Sequence, residues 1–486
     1  MPISNTRLLE GVIQALQTLG TKTDDPYSKG LVHAASIAID ELRNRDNNST
    51  AVDRYAQGHA LTAAVLATIK NADELQRAFA ALPTALSTDN SWASITRDTH
   101  ALLDIAEQLS LRQLGDAGAT NALKALQALL AWEYEGYAFN RQAVTNPPAA
   151  TLLTAESVEA FIRSQGGDYA QASVVEFRPL SGGFSKQTTL ISVETAKHGK
   201  EGFAIRADGA VKVLGLRGQD ISREFHALKY AHAGGILCAE PLWLHYHEKP
   251  HYFISRQIPG RNVGDGINAN EPVSDSVTRS LARAIASIHQ LPVDQAHQDV
   301  VASHYAMSQP KTREQAQREF IQEWVDVWIK NGRKSPIAAS SIRWILDNVP
   351  KDTRPAVLVH CDCGFNNLLV HEDKVSVVLD WEISHMGDPA EDIGWLMYQF
   401  RSDATRECFM DEYRKSGGED FDTYRLKYYD VVASLKMLIA MSDIGDKFES
   451  VPGASVHLCA YAVPYLKDPA SAISKQIEEA EKLRRG

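Results

Sequence analysis

Over residues 1 to about 146 the apolar positions recur every three and four, as at Leu8, Val12 and Leu16 and again at Leu123, Leu126 and Leu130. Ala and Leu dominate and alternating Val or Ile is scarce, which is the helical period. The stretch "ALLDIAEQLSLRQLG", ending on Gly115, and the longer "ALKALQALLAWEYEGYAF" both predict core helices, so 1–146 is expected to be an all-α bundle. Pro147 and Pro148 cannot continue a helix and mark a domain boundary.

Beyond the boundary the period changes. "TAESVEAFIRSQGG" predicts a short helix with Thr154 as N-cap and Gly166 and Gly167 at its end. From Ser173 the apolar residues alternate: "ASVVEFRPL", a turn "SGGFSK", "QTTLISVET" and "EGFAIRA" predict three strands, with Glu201 an exposed position. The helical "SREFHALKYAHAGG" follows, then strands within "LWLHYHEKPHYFISRQIPG". After Ser274 the chain is expected to be helical except around 357–384, and the terminal "SKQIEEAEKLRRG" reads as a solvated helix. Trp395 and Tyr398, and likewise Trp324 and Trp328, are helix-spaced and read as core.

Composition narrows the class. A chain of 486 residues, 44% hydrophobic and 23% charged, is globular and sized for two or three domains. Neither a basic-then-apolar leader nor a long apolar span is visible, so a soluble cytoplasmic protein without a membrane partner is expected. A net charge of -11 argues against non-specific nucleic-acid binding. Five cysteines do not suggest a disulfide framework, and Cys361 with Cys363 lacks a second pair at metal spacing, which argues against zinc.

Candidate chemistry concentrates in "VLVHCDCGFNNLLVHEDKVSVVLDWEIS", residues 357–384. A strand enters a loop at "AVLVHCD", and "NNLLV" and "VSVVLDW" predict two strands joined at "HEDK". Asp362 and Asn367 then stand at the two ends of one loop, and Asp380 closes the next strand. Such ends can converge to give a carboxylate able to take a proton, with an Asn and an Asp able to bind a hard cation such as Mg²⁺ through oxygen. In "GDPAEDIGWL", Asp388, Pro389 and Glu391 suit an N-cap, a first helical position and a capping-box partner.

The pattern H-x-D-x-x-x-x-N followed by a strand and "LDW" resembles the aminoglycoside phosphotransferase and choline kinase family, over about residues 170 to 465. The resemblance implies an α+β, protein-kinase-like two-lobed fold preceded by the helical bundle, with an N-lobe at 151–258 and a helical C-lobe at 259–486. It implies ATP and Mg²⁺, with Asp362 taking the proton of a substrate hydroxyl and Asn367 and Asp380 holding the metal. By the same likeness Gly182, Gly183 and Ser185 form the nucleotide loop, and Arg206 stands where many members place a phosphate-contacting Lys, paired to Glu224. Backbone groups from Ser255 through Gln257 to Ile258 face adenine, while His360 and Asp392 brace the catalytic loop. Cys361 replaces the Gly common to many members.

The acceptor is less defined. Residues 311–347 carry Lys311, Arg313, Arg318, Lys330, Arg333, Lys334 and Arg343 against five acids, a slightly basic balance that disfavours polycationic aminoglycosides. The sequence also resembles kinases related to the kinase part of acyl-CoA-dehydrogenase fusions, which implies a hydroxyacyl-CoA. An aminoglycoside, choline or homoserine-like kinase stays open, as does a non-catalytic nucleotide-binding module.

Overall fold

The alternation along 173–208 is realised as a meander: β1 (Ser173–Pro179), β2 (Lys186–Thr195) and β3 (Gly199–Asp208), all antiparallel. The computed structural model describes residues 35, 48–67, 73–87, 92–113, 129, 153–180, 186–209, 214–216, 220–265, 268–269, 273–292, 311–331, 335–400, 402–450 and 472–484. These fall into two compact units, Pro148–Glu323 with Val349–Ala433, and Met1–Pro147 with Trp324–Asn348 and Ser434–Gly486.

In the first of these units α1 (Ala155–Ser164) precedes the sheet, its Thr154 cap accepting from the Ser157 N–H while Ser157 returns a bond to the Thr154 N–H. After β3 come α2 (Ile221–Ala233), β4 (Pro241–His245) and β5 (Tyr252–Arg256), and the sheet order is β1-β2-β3-β5-β4. Strand period sorts the side chains. Phe203, Ile205, Tyr252 and Ile254 share one core with Val158 and Ile162 of α1. Arg206 and Phe253 take the opposite face, where Phe253 meets Phe225 of α2. Glu201 is not exposed: it accepts from the Tyr169 hydroxyl at 2.9 Å and from Arg256 at 2.5 Å, because the β3–β5 pairing brings Arg256 alongside.

The helical lobe opens with β6 (Arg261–Asn262) and α3 (Asp275–His289). Further on, β7 (Val357–Val359) enters the loop, and β8 (Leu368–His371) and β9 (Lys374–Val378) form a hairpin turned by Glu372 and Asp373, both at positive φ as a tight two-residue turn requires. β6 pairs with β8, and β10 (His385–Gly387) pairs with β7. Then come α4 (Ala390–Gln399) and α5 (Asp403–Lys415).

The second unit is helical in its described part, with Asn48–Leu66, Asp73–Ala80 and Trp92–Gln113 sharing a core around Tyr55, Leu102, Ile105 and Leu109. Leu8, Val12, Leu16, Leu123, Leu126 and Leu130 lie outside the described residues. Pro336–Asp347 packs on Trp92–Gln113, and the Ser335 N–H donates to Glu107 at 2.9 Å. Trp324 and Trp328 are core. The terminal helix, 472–484, is not simply solvated: Ile473 and Ala480 are fully buried, and Glu481 accepts from the Trp344 indole at 2.9 Å. Among the described residues, no helix is long and apolar enough to cross a membrane.

Candidate active site

The β7 strand delivers His360, fully buried, into the loop. Its Nδ1 accepts the Asp362 N–H at 3.2 Å, so Nε2 carries the proton and donates to the Leu379 carbonyl at 3.0 Å. This ties the loop to the end of the hairpin. Behind it Asp392, fully buried on the first turn of α4, accepts from the N–H groups of His360 at 2.8 Å and Cys361 at 2.6 Å, and from His289 Nε2 at 3.0 Å. Burial works most strongly against its charge, yet the His289 contact and the nearby His360 bring its carboxyl down to about 2.

From Asp362 the chain turns through Phe365–Asn367 into β8. The turn is crowded: a Cβ on Gly264 would stand 2.4 Å from the Phe365 backbone, so only glycine lets that segment pass. The Asn367 amide donates to the Asp362 carbonyl and to its Oδ2, both at 2.9 Å. The Leu379 N–H donates to the Asn367 carbonyl at 2.8 Å, which places Asp380 across the hairpin end from Asn367. Asp380 adopts φ +65, a left-handed geometry that Asp tolerates better than most residues.

The sheet supplies the opposing charge. Arg206 donates through Nε to Glu224 Oε1 at 2.9 Å and through a terminal nitrogen to Asp380. Glu224 is 3% exposed, and its Oε2 has no hydrogen-bond partner. Burial, then the charges of Asp380 and Glu382, push its carboxyl up to about 7 against the pull of Arg206. The Arg206 guanidinium, though buried, is held above its ordinary value by Asp380, Glu224 and Glu382. Three carboxylates thus share one guanidinium, a balance that a cation would relieve. With oxygen donors from Asn367 and Asp380, the residues present fit a hard divalent ion.

Several expectations need restating. Glu391 is not a capping-box partner: Pro389 holds the N-cap position without a side-chain bond, and Glu391 faces inward to Cys361 and His385. Asp388 does accept the Ala390 N–H at 3.0 Å, but its other oxygen takes Arg425 and the Tyr429 hydroxyl. The Gln257 N–H is bonded to the Gly202 carbonyl at 3.0 Å, which withdraws it as an adenine donor. Ser255 is buried in the β3–β5 ladder and Ile258 is half-buried just past it. Gly182, Gly183 and Ser185 lie outside the described residues. The basic balance of 311–347 is largely internal, since Lys311 pairs with Glu319, Arg313 with Glu419, Arg318 with Glu314 and Arg343 with Asp347. It therefore carries no argument for an anionic acceptor.

Sequence reasoning missed four neighbours. Gln399 accepts the Phe365 N–H at 3.2 Å, Asn366 donates to Asn367 Oδ1 at 3.1 Å, His289 holds Asp392, and buried Lys186 pairs with Asp208 at 2.8 Å. Only Lys186 carried a signal, its place directly after the glycine turn.

A small antiparallel sheet whose Arg206 pairs with Glu224 of α2, followed by a helical lobe bearing an Asp, an Asn and a second Asp, is the two-lobed α+β architecture of kinase-like phosphotransferases. The profile of the phosphotransferase enzyme family matches residues 177–429, just over half of the chain, and the chain belongs to that family. It is also similar to mouse acyl-CoA dehydrogenase family member 10, at 35% identity over 16% of this chain and 8% of that protein. Similarity to mouse acyl-CoA dehydrogenase family member 11 is 25% over 36% of this chain and 22% of that protein. The chain spans less than a quarter of either relative. Among solved structures, the macrolide 2'-phosphotransferase MphH of Brachybacterium faecium aligns with 65% of this chain and 99% of its own, at 16% identity and a TM-score of 0.43.

Proposed function

We propose that this chain is an ATP- and Mg²⁺-dependent kinase that passes the γ-phosphoryl group to the hydroxyl of a small molecule, with a hydroxyacyl-CoA thioester the first acceptor to test. The observation that carries the reading is the Asp362 carboxylate held by Asn367, with Asp380 at the neighbouring strand end and Arg206 reaching it from the sheet. Asp362 takes the hydroxyl proton while Asn367 fixes the carboxylate's orientation. Arg206 presents a guanidinium for phosphate oxygens, and Glu224 sets its angle. Asn367 Oδ1 and the Asp380 carboxylate would hold Mg²⁺, which supplies charge neutralisation for the transferring group. Positioning and charge then do the catalysis, without a covalent intermediate.

The acyl-CoA choice is supported by the two mouse relatives, whose names speak of acyl-CoA. The test is Mg²⁺-dependent ADP release from ATP against hydroxyacyl-CoAs, aminoglycosides, macrolides, choline, homoserine and sugars, with wild type and Asp362→Ala side by side. Release stimulated by one acceptor class and lost in the variant is expected. ATP binding with no stimulation across the panel would favour a nucleotide-binding regulatory module instead.

A further inference from the structure

Three side chains from three elements meet: Cys361 from the loop that follows β7, His385 from β10 and Glu391 from α4. Their donor atoms all lie within 4.8 Å of one another. Cys361 Sγ is 3.2 Å from Glu391 Oε1, and His385 Nε2 is 3.3 Å from Glu391 Oε2.

The His385 ring settles its own proton. Nδ1 lies 3.1 Å from the Ile383 carbonyl, which can only accept, so Nδ1 carries hydrogen. Nε2 then faces Glu391 Oε2 at 3.3 Å, and a positive centre shared by the two would hold them together. An imidazolium proton is one such centre. A metal ion is the other. A metal-bound imidazole commonly gives its second N–H to a backbone carbonyl, as His385 does to Ile383. The setting is dry: the side chain of Glu391 is 2% exposed, Cys361 is buried, and the Phe320 ring stacks on His385 at 3.9 Å.

Cys361 itself adds an independent point. It sits at φ +69, the left-handed region where a side chain is disfavoured and glycine is the easy residue. At that position its thiol is turned onto Glu391 Oε1, 3.2 Å away.

We propose that Cys361, His385 and Glu391 form a zinc site that locks the root of the catalytic loop to α4, separate from the oxygen-donor site for Mg²⁺. One sulfur, one nitrogen and one oxygen donor suit zinc and not magnesium. Tetrahedral zinc with bonds of about 2.0–2.1 Å to nitrogen and oxygen sets those two donors about 3.3 Å apart. Binding expels the Cys361 thiol proton to solvent, so uptake is favoured by higher pH. The site is invisible to motif spacing because its ligands lie in three separate elements.

The full chain, stripped with chelator, is to be titrated with zinc and with cobalt. Wild type should take up about one equivalent of zinc, and cobalt should give the near-ultraviolet charge-transfer band of a thiolate ligand. Cys361→Ser should lose that band, and His385→Gln should weaken zinc binding at least tenfold. Cys363→Ser, two residues on and outside the cluster, should retain both signals. Wild type that binds neither zinc nor cobalt would overturn the site. A thiolate band persisting undiminished in Cys361→Ser would overturn it equally, whatever the fold of the variants.

Discussion

The Asn367 side-chain amide spans the loop between β7 and β8, donating at 2.9 Å to the carbonyl of Asp362 and at 2.9 Å to its carboxylate. Position and orientation of the proposed base are set by one group. Asp362→Ala should lower turnover by about 10²–10⁴-fold, the usual worth of a general base, while MgATP affinity stays within a few-fold. Turnover within tenfold of wild type would remove Asp362 from that role.

Arg206 reaches Glu224 and Asp380 with different nitrogens of one planar group. A lysine offers a point charge on a flexible stem and cannot hold both at those angles. Arg206→Lys should reduce kcat/KM by at least about tenfold, a loss of roughly 1.4 kcal/mol of transition-state stabilisation. Steady-state kinetics that match wild type would show that the two-point contact is dispensable.

Glu224 has its carboxyl pushed up to about 7 from 4.5, by burial first and then by Asp380 and Glu382. Between those values the native chain keeps a proton that the unfolded chain has released, so its contribution to stability falls as pH rises through that window. A bound cation favours the ionised carboxylate. Magnesium-nucleotide binding should therefore release protons at pH 6, release few at pH 8.5, and tighten as pH rises between them. Calorimetry at pH 6 in two buffers of different ionisation heat measures this directly. Equal heats in both buffers, or the same buffer dependence in Glu224→Gln, would refute the assignment.

Asp392 works in the other direction. Its carboxyl sits at about 2 against an ordinary 3.8, since His289 and His360 outweigh the burial that opposes its charge. That contribution is complete above about 3.8 and disappears as pH falls through 2, amounting to roughly 2 kcal/mol. Asp392→Ala would leave the His360 and Cys361 N–H groups and His289 without their acceptor, and should cost about 3–5 kcal/mol in urea unfolding. Asp392→Asn, which keeps an oxygen, should cost less. Equal losses for the two would mean that the charge, and not the acceptor, is what holds the loop.

What the sequence made legible follows from range. Alternation along 186–195 and 199–208 is local, so the sheet strands were readable, and so was Thr154 as a cap, since its partner is three residues away. Asp362, Asn367 and Asp380 were readable as a set because one hairpin orders them. Partners that arrive from elsewhere in the chain were not. Glu391 looks like a cap from its neighbours and proves to face Cys361, thirty residues earlier. Glu201 looks exposed until β5 brings Arg256 to it, and the cations of 311–347 look unbalanced until Glu419 reaches Arg313.

The same long-range pairing gives a contrast in stability between two ion pairs of similar chemistry. Arg425, 11% exposed, donates to Asp352 at 2.6 Å and to Asp388, whose side chain is 2% exposed and also takes the Tyr429 hydroxyl at 2.8 Å. Arg343 and Asp347 make a pair one helical turn apart, but half in solvent at 50% and 54% exposure. Removing one partner of a buried pair strands a charge in low dielectric, whereas water takes over the role of a lost surface partner. Asp388→Ala should therefore destabilise by about 3–5 kcal/mol, and Asp347→Ala by no more than about 0.5 kcal/mol. Chemical unfolding of the two variants decides it. If their midpoints shift alike, the Arg425 network is solvated in solution and does not anchor the start of α4.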